Sequence, residues 1–309
     1  MKNFADLLIE AIKKKGSPIC VGLDPRLGAL PPYIIKKNVK KYKKTRKSVA
    51  ESILEFNKGI IDAVHDIVPI VKPQIAFYEL WGYEGMEAFE ETVKYAKEKG
   101  LLVLSDAKRN DIGSTSEAYA TSQIGWNSYF EKDKEPVIGA DAVTVNAYFG
   151  KDGVQPFLEL CDNDKKGIFV LVRTSNPSAV EVQDLMHDNK PIYQMMGYYV
   201  DSWGADLIGE NGYSSVGAVV GATYPKEAKA LREIMPNSFF LVPGYGVQGG
   251  GAEEVKHCFN KDGLGAVINS SRGIIFAYKK MDFDDNAFGD AARLAVEDMK
   301  KDLARVGII

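Results

Sequence analysis

Three charged residues in two short stretches have the types and spacing of a reaction centre. Lys72 lies in V-K-P-Q, and Asp106 and Lys108 lie in S-D-A-K-R-N-D-I-G-S-T. Asp106 and Lys108 are two apart, so at the end of a strand both side chains leave on the same side. If the apolar runs before the two stretches form neighbouring strands, Lys72 stands at the same height. A lysine, an aspartate and a second lysine then converge. Buried charges are costly unless they alternate in sign and hydrogen-bond, so such a cluster is a candidate site. A fixed ammonium can donate a proton and stabilise developing negative charge. An ion-pair network at a loop start would explain any one of these residues. The three together point to chemistry.

A second constellation follows near residue 250. V-P-G-Y-G-V-Q-G-G-G spans residues 242–251 and N-S-S-R-G-I spans 269–274. Glycines such as Gly244 and Gly273 let backbone N–H groups approach an anion, and a helix N-terminus adds a favourable dipole. Arg272 supplies a forked cation and Gln248 an amide donor. The pattern predicts a phosphate site, with flexible turns as the alternative.

The scaffold that would bring these residues together is legible as alternation. Short apolar runs at residues 18–23, 67–75, 101–104, 142–145, 168–172, 216–220, 239–242 and 266–268 are rich in Val, Ile and Leu, with little polar alternation. They read as strands buried on both faces. Amphipathic stretches at 48–65, 85–99, 115–130, 225–234 and 287–304 separate them. The count predicts a single α/β domain over residues 1–309, a (β/α)8 TIM barrel. A doubly wound sheet is disfavoured because no G-x-G-x-x-G follows the first run. In such a barrel the site lies at the C-terminal strand ends. Those ends carry Asp24, Lys72 and Gln74, then Asp106, Lys108 and Asp111, then Asn146, then Thr174 and Ser175. Residues 25–47 and 175–211 are insertions. The second has the length of a lid, and the basic run at 36–47 reads as a solvated helix face or a mobile loop.

Bulk composition excludes several classes. The 309 residues carry a formal charge of -3, with 45% hydrophobic and 26% charged residues. The balance argues against a nucleic-acid binder. Cys20, Cys161 and Cys258 show no C-x-x-C spacing, and His65, His187 and His257 fit no metal-ligand pattern. There is no apolar run long enough for a membrane span, and the charged start lacks a signal-peptide core. A cytoplasmic protein is the expectation.

The motifs, taken in order, resemble one family. D-A-K-R-N-D-I-G-S-T is similar to the signature of the orotidine 5′-phosphate decarboxylases, which complete UMP synthesis. V-G-L-D-P, V-K-P-Q-I-A-F-Y-E, T-V-N-A-Y-F-G, V-L-V-R-T-S-N-P, V-V-G-A, P-G-Y-G-V-Q-G-G and N-S-S-R-G-I fall where that family has its other blocks, in its longer-chain branch.

The resemblance implies that Lys72, Asp106, Lys108 and Asp111 form an alternating charged tetrad. It places Asp24 on a ribose hydroxyl, and Gln74, Asn146, Thr174 and Ser175 around the nucleotide. Gln248, Arg272 and the N–H groups of Gly244 and Gly273 would hold the phosphate. It implies a homodimer in which Asp111 and Thr115 reach the neighbour's site, and no metal or organic cofactor. The four-residue spacing from Asp111 to Thr115 puts both on one face if a helix starts there. Two other readings remain open. One is a sister phosphosugar decarboxylase using Mg²⁺, against which Lys72 stands where an acidic ligand is needed. The other is a non-catalytic nucleotide-binding barrel.

Overall fold

The structure, a computed structural model, describes residues 2–129, 134–246, 250–281 and 283–308. Eight parallel strands close into a barrel: β1 (Ile19–Leu23), β2 (Ile70–Pro73), β3 (Leu102–Arg109), β4 (Ala142–Val145), β5 (Gly167–Arg173), β6 (Ser214–Val220), β7 (Ser238–Val242) and β8 (Ala266–Ser270). Each pairs with its neighbour in sequence. β8 closes on β1 through Ile268–Ile19, Asn269–Cys20 and Ser270–Val21. This is the (β/α)8 barrel that the alternation of runs predicts.

The helices are α1 (Phe4–Lys15), α2 (Pro32–Tyr42), α3 (Arg46–Val64), α4 (Gly82–Glu98), α5 (Gly113–Ile124), α6 (Lys151–Asn163), α7 (Ile192–Gly204), α8 (Pro225–Ile234) and α9 (Phe288–Arg305).

Strand alternation divides the core into two shells. Val21, Val71, Val103, Val143 and Val170 join the larger cluster beneath the helices. Cys20, Ile70, Leu104, Ala142, Phe169, Leu241 and Val267 form a second cluster in the barrel interior. A fully buried side chain of this size stabilises the fold by roughly 1.5–3 kcal/mol.

α1 completes the inner cluster with Phe4, Leu8 and Ile9. Gly167, the first residue of β5, comes so close that a Cβ there would lie 2.3 Å from Phe4. α1 therefore closes the barrel at the end opposite the strand C-termini. An Asn3–Asp6 capping box starts it, and Asp6 also accepts the backbone N–H groups of Glu210 and Asn211.

Two expectations need adjusting. β3 is not confined to 101–104 but runs through the charged motif to Arg109. α5 stops at Ile124 rather than 130. Gly125 ends it, and the chain turns to pair Asn127 with Glu135. The insertion at 25–47 holds α2, whose lysines are exposed while Ile34 and Asn38 face inward. Lys37 pairs with Glu55, and Lys47 pairs with Glu51 and Glu87. That is the solvated helix face rather than the mobile loop. The 175–211 insertion holds a short ribbon (Met186–His187 with Lys190–Pro191) and α7.

Candidate active site

Two members of the charged set, with a threonine beside them, sit one layer above the apolar interior. Lys72, Asp106 and Thr144 each lie two residues beyond an interior side chain, namely Ile70, Leu104 and Ala142. Period-two alternation therefore aims all three into the barrel mouth. Gly22 on β1 is paired with Lys72. A Cβ at Gly22 would lie 1.8 Å from Ser271 Oγ, so only glycine leaves this space.

Asp106 is the hub. Its Oδ2 accepts Lys72 Nζ at 2.6 Å and Gln74 Nε2 at 2.9 Å. Its Oδ1 accepts Lys108 Nζ at 2.5 Å and Thr144 Oγ1 at 2.9 Å. The carboxylate is 6% exposed and Lys72 is 4% exposed. Burial alone would raise the Asp106 pKa, but the ammonium groups of Lys72 and Lys108 outweigh it and hold the carboxyl well below the usual range. Burial likewise pushes Lys72 down, and the carboxylates of Asp106 and Asp24 more than reverse it. Both groups are therefore charged at neutral pH. The contribution of Asp106 to stability is present above the ordinary carboxylate range. It is lost only as pH falls through the lowered value.

Lys108 differs from its partners. Its side chain is 44% exposed, and its backbone adopts φ 49°, the left-handed region that a lysine rarely occupies. The β3–β4 register shifts between Ser105 and Arg109, and the Lys108 N–H donates to Thr144 Oγ1 at 2.9 Å. This bulge releases the lysine from the ladder and turns it over the cavity.

Two adjoining cavities meet at Lys72, Asp106 and Pro243. One, of about 390 Å³, is lined by Lys108, Thr144, Leu171, Thr174, Ser175 and Asn176. The other, of about 170 Å³, is lined by Asp24, Gly244, Asn269, Arg272 and Gly273. In the second, Asp24 Oδ1 and Asn269 Oδ1 are buried and have no partner among the described residues. Buried oxygens of this kind suit the hydroxyl donors of a bound ligand. Gly244 and Gly246 adopt φ 102° and 77°, which the loop after β7 needs for its turns. Arg272 is exposed at the rim and forms no ion pair among the described residues. Gln248, the expected amide donor, lies outside the described residues.

The profile of the family described as "Orotidine 5′-phosphate decarboxylase / HUMPS family" matches residues 17–281. The chain belongs to this family. A curated relative from Caldicellulosiruptor bescii, named orotidine 5′-phosphate decarboxylase, is 45% identical over 303 residues, 98% of each chain. One of the same name from Rhodopirellula baltica is 46% identical, over 98% of this chain and 99% of the relative. The structure of Leishmania donovani OMP decarboxylase superposes with a TM-score of 0.71 at 31% identity. It covers 97% of this chain and 99% of that one.

In this member of the orotidine 5′-phosphate decarboxylase family, the remaining expected residues divide. Thr174 and Ser175 line the larger cavity. Gln74 stands beside the network, its Nε2 donating to Asp106 and its Oε1 accepting the Ala76 N–H. Asn146 Oδ1 accepts the Tyr148 N–H. Asp111 caps the Ile112 N–H at 2.8 Å and takes no part in the Lys72–Asp106–Lys108 network. α5 begins at Gly113 after an extended Ile112, so Asp111 precedes the helix and shares no helical face with the exposed Thr115.

The sequence reading passed over Thr144 and Asn269. Each was visible in a motif, T-V-N and N-S-S-R. Thr144 stands two residues before Asn146, on the same side of β4, and that spacing was the available signal.

Proposed function

We propose that this chain decarboxylates orotidine 5′-phosphate to UMP in pyrimidine biosynthesis, with Lys108 as the proton donor. Family membership supports the reaction. The observation that carries the site is a cavity floored by Lys72, Asp106 and Lys108 and continuous with the glycine and arginine loops after β7 and β8.

In the reaction the bond between the ring and its carboxylate breaks. CO₂ leaves and the electron pair stays on the ring carbon. No organic electron sink is involved, so the protein stabilises that charge electrostatically. The Lys108 ammonium lies beside it and transfers its proton to the carbanion-like carbon. Asp106, ionised and fixed by four donors, holds Lys108 in place and adjoins the departing carboxylate. Asp24 and Asn269 receive the ribose hydroxyls. Arg272, Gln248 and the backbone N–H groups of Gly244 and Gly273 take the phosphate, which binds far from the bond broken and supplies energy to assemble the site. Two copies share each site, with Asp111 and Thr115 completing the neighbour's cavity.

The direct test is loss of orotidine 5′-phosphate absorbance on incubation with the purified protein. Turnover is expected to be unchanged by exhaustive chelation, because Lys72 stands where the sister phosphosugar reaction needs an acidic ligand to Mg²⁺. Activity lost to EDTA and restored by Mg²⁺ would favour that sister reaction. Absence of turnover with retained UMP binding would favour a non-catalytic barrel.

Arg272→Ala tests the phosphate arm. It is expected to lower kcat/KM for orotidine 5′-phosphate by about a hundredfold. The slow reaction of orotidine, which has no phosphate, should be nearly unaffected. Equal losses on both substrates would make Arg272 a structural residue.

A further inference from the structure

Arg173, the last residue of β5, is the largest of the side chains that are fully buried. Alternation along β5 sends Phe169 and Leu171 to the barrel interior and would send Arg173 after them. The β5–β6 register shifts between Leu171 and Arg173, and the guanidinium leaves the interior instead. Its Cζ sits 4.0 Å from the centre of the Tyr224 ring and 5.0 Å from that of Tyr193. Nη1 donates to Asp184 Oδ1 at 2.5 Å, and Nη2 reaches Oδ2 at 3.5 Å. Nε has no partner among the described residues. A cation 1% exposed thus has its one counter-charge among the described residues on the inserted segment that follows it.

That segment forms a wall of the candidate active site. Thr174, Ser175 and Asn176 line the cavity that also holds Lys72, Asp106 and Lys108. Gln183, beside Asp184, grips the wall from outside. Its Oε1 accepts the Thr174 N–H at 3.0 Å and its Nε2 donates to Thr174 Oγ1 at 2.7 Å. Thr174 Oγ1 in turn donates to Asn176 Oδ1 at 2.7 Å.

We propose that Arg173 is a positioning residue for the decarboxylation: through Asp184 it tethers the 174–191 segment and so sets the wall against which the pyrimidine ring docks. This rests on the function proposed above. The tether is one-sided. The Asp184 side chain is 43% exposed and could pass into water at little expense. Arg173 cannot follow, and would be left as a buried cation with no carboxylate. Release of the segment is therefore opposed from the barrel side before any substrate arrives. Lysine would not substitute, because a point charge has neither the fork for Asp184 nor the plane that stacks on Tyr224.

The test uses Arg173→Met, Asp184→Asn and the double variant. Arg173→Met removes the charge while keeping most of the volume, so the melting temperature should hold or rise. Even so, kcat/KM for orotidine 5′-phosphate should fall by about a hundredfold, chiefly through KM, because the cavity wall is misplaced. Asp184→Asn should lower kcat/KM in the same way. The double variant should be no worse than Arg173→Met alone, since both cut one tether. Chymotryptic cleavage after Leu185 or Met186, both exposed, needs no substrate and should accelerate about tenfold in each variant. Unchanged cleavage would overturn the tether. Faster cleavage with unchanged kcat/KM, or additive losses in the double variant, would overturn its role in positioning. If the wild type itself fails to turn over orotidine 5′-phosphate, the proposed function fails, and the cleavage rates still report on the tether.

Discussion

Lys108→Ala is expected to lower kcat by about 10⁴-fold or more while leaving a folded protein that still binds UMP. The two halves of that expectation have separate causes. On the proposed mechanism turnover falls because the ammonium both stabilises the carbanion-like centre and supplies its proton, and no other described donor leans over the cavity in the same way. The fold survives because Asp106 keeps Lys72, Gln74 and Thr144 as donors. The side chain removed is nearly half exposed. By contrast, removing Asp106 takes from the buried Lys72 ammonium its hydrogen-bonded carboxylate and costs about 3–5 kcal/mol. Turnover and UMP affinity of the variant, measured beside its circular dichroism, give the check. Near-normal turnover would remove Lys108 from the mechanism.

Mixing inactive Lys72→Ala with inactive Asp111→Ala is expected to restore about a quarter of wild-type activity. In the structure Lys72 belongs to the buried network, whereas Asp111 stands outside it and accepts the Ile112 N–H. If Asp111 completes the site of a second copy, a mixed dimer has one site with both residues intact and one lacking both. Random re-association of equal amounts makes roughly half the dimers mixed, and half of their sites are whole. The measurement is activity after subunit exchange, with exchange itself followed by a mass tag. Activity that stays at the level of the separate variants, in fully exchanged protein, would assign Asp111 to its own barrel.

The barrel was legible because its strands are buried on both faces and so carry almost uninterrupted Val, Ile and Leu. Lys72 and Asp106 were legible for a related reason. They interrupt such runs at the strand ends, two residues beyond Ile70 and Leu104, where a charge must have a purpose. The extent of β3 was not legible. D-A-K-R looks like loop, and the pairing of Asp106 with Gln74 and of Arg109 with β4 carries the strand through it despite the turn at Lys108. Nothing in one dimension shows that the Gln74 amide donates to Asp106. Arg173 stood inside V-R-T-S-N-P as one more strand-end charge. Its counter-charge, Asp184, is eleven residues on, in a segment with no periodicity, so their pairing depends on a chain path that no spacing encodes. α1 was missed because its lysines mask the narrow apolar stripe of Phe4, Leu8 and Ile12 that closes the barrel floor.

If Lys108 is the proton donor proposed above, its left-handed backbone places heat resistance and turnover in opposition at a single residue. A non-glycine side chain held at φ 49° costs of order 1 kcal/mol or more, and glycine would adopt that conformation without the steric penalty. The substitution that best relaxes the peptide is thus also one that discards the ammonium. Stabilising changes in this barrel are open at many surface positions, but here the route is closed. An engineer screening for a higher melting temperature alone would be drawn toward glycine at 108 and would harvest a sturdier, inert protein.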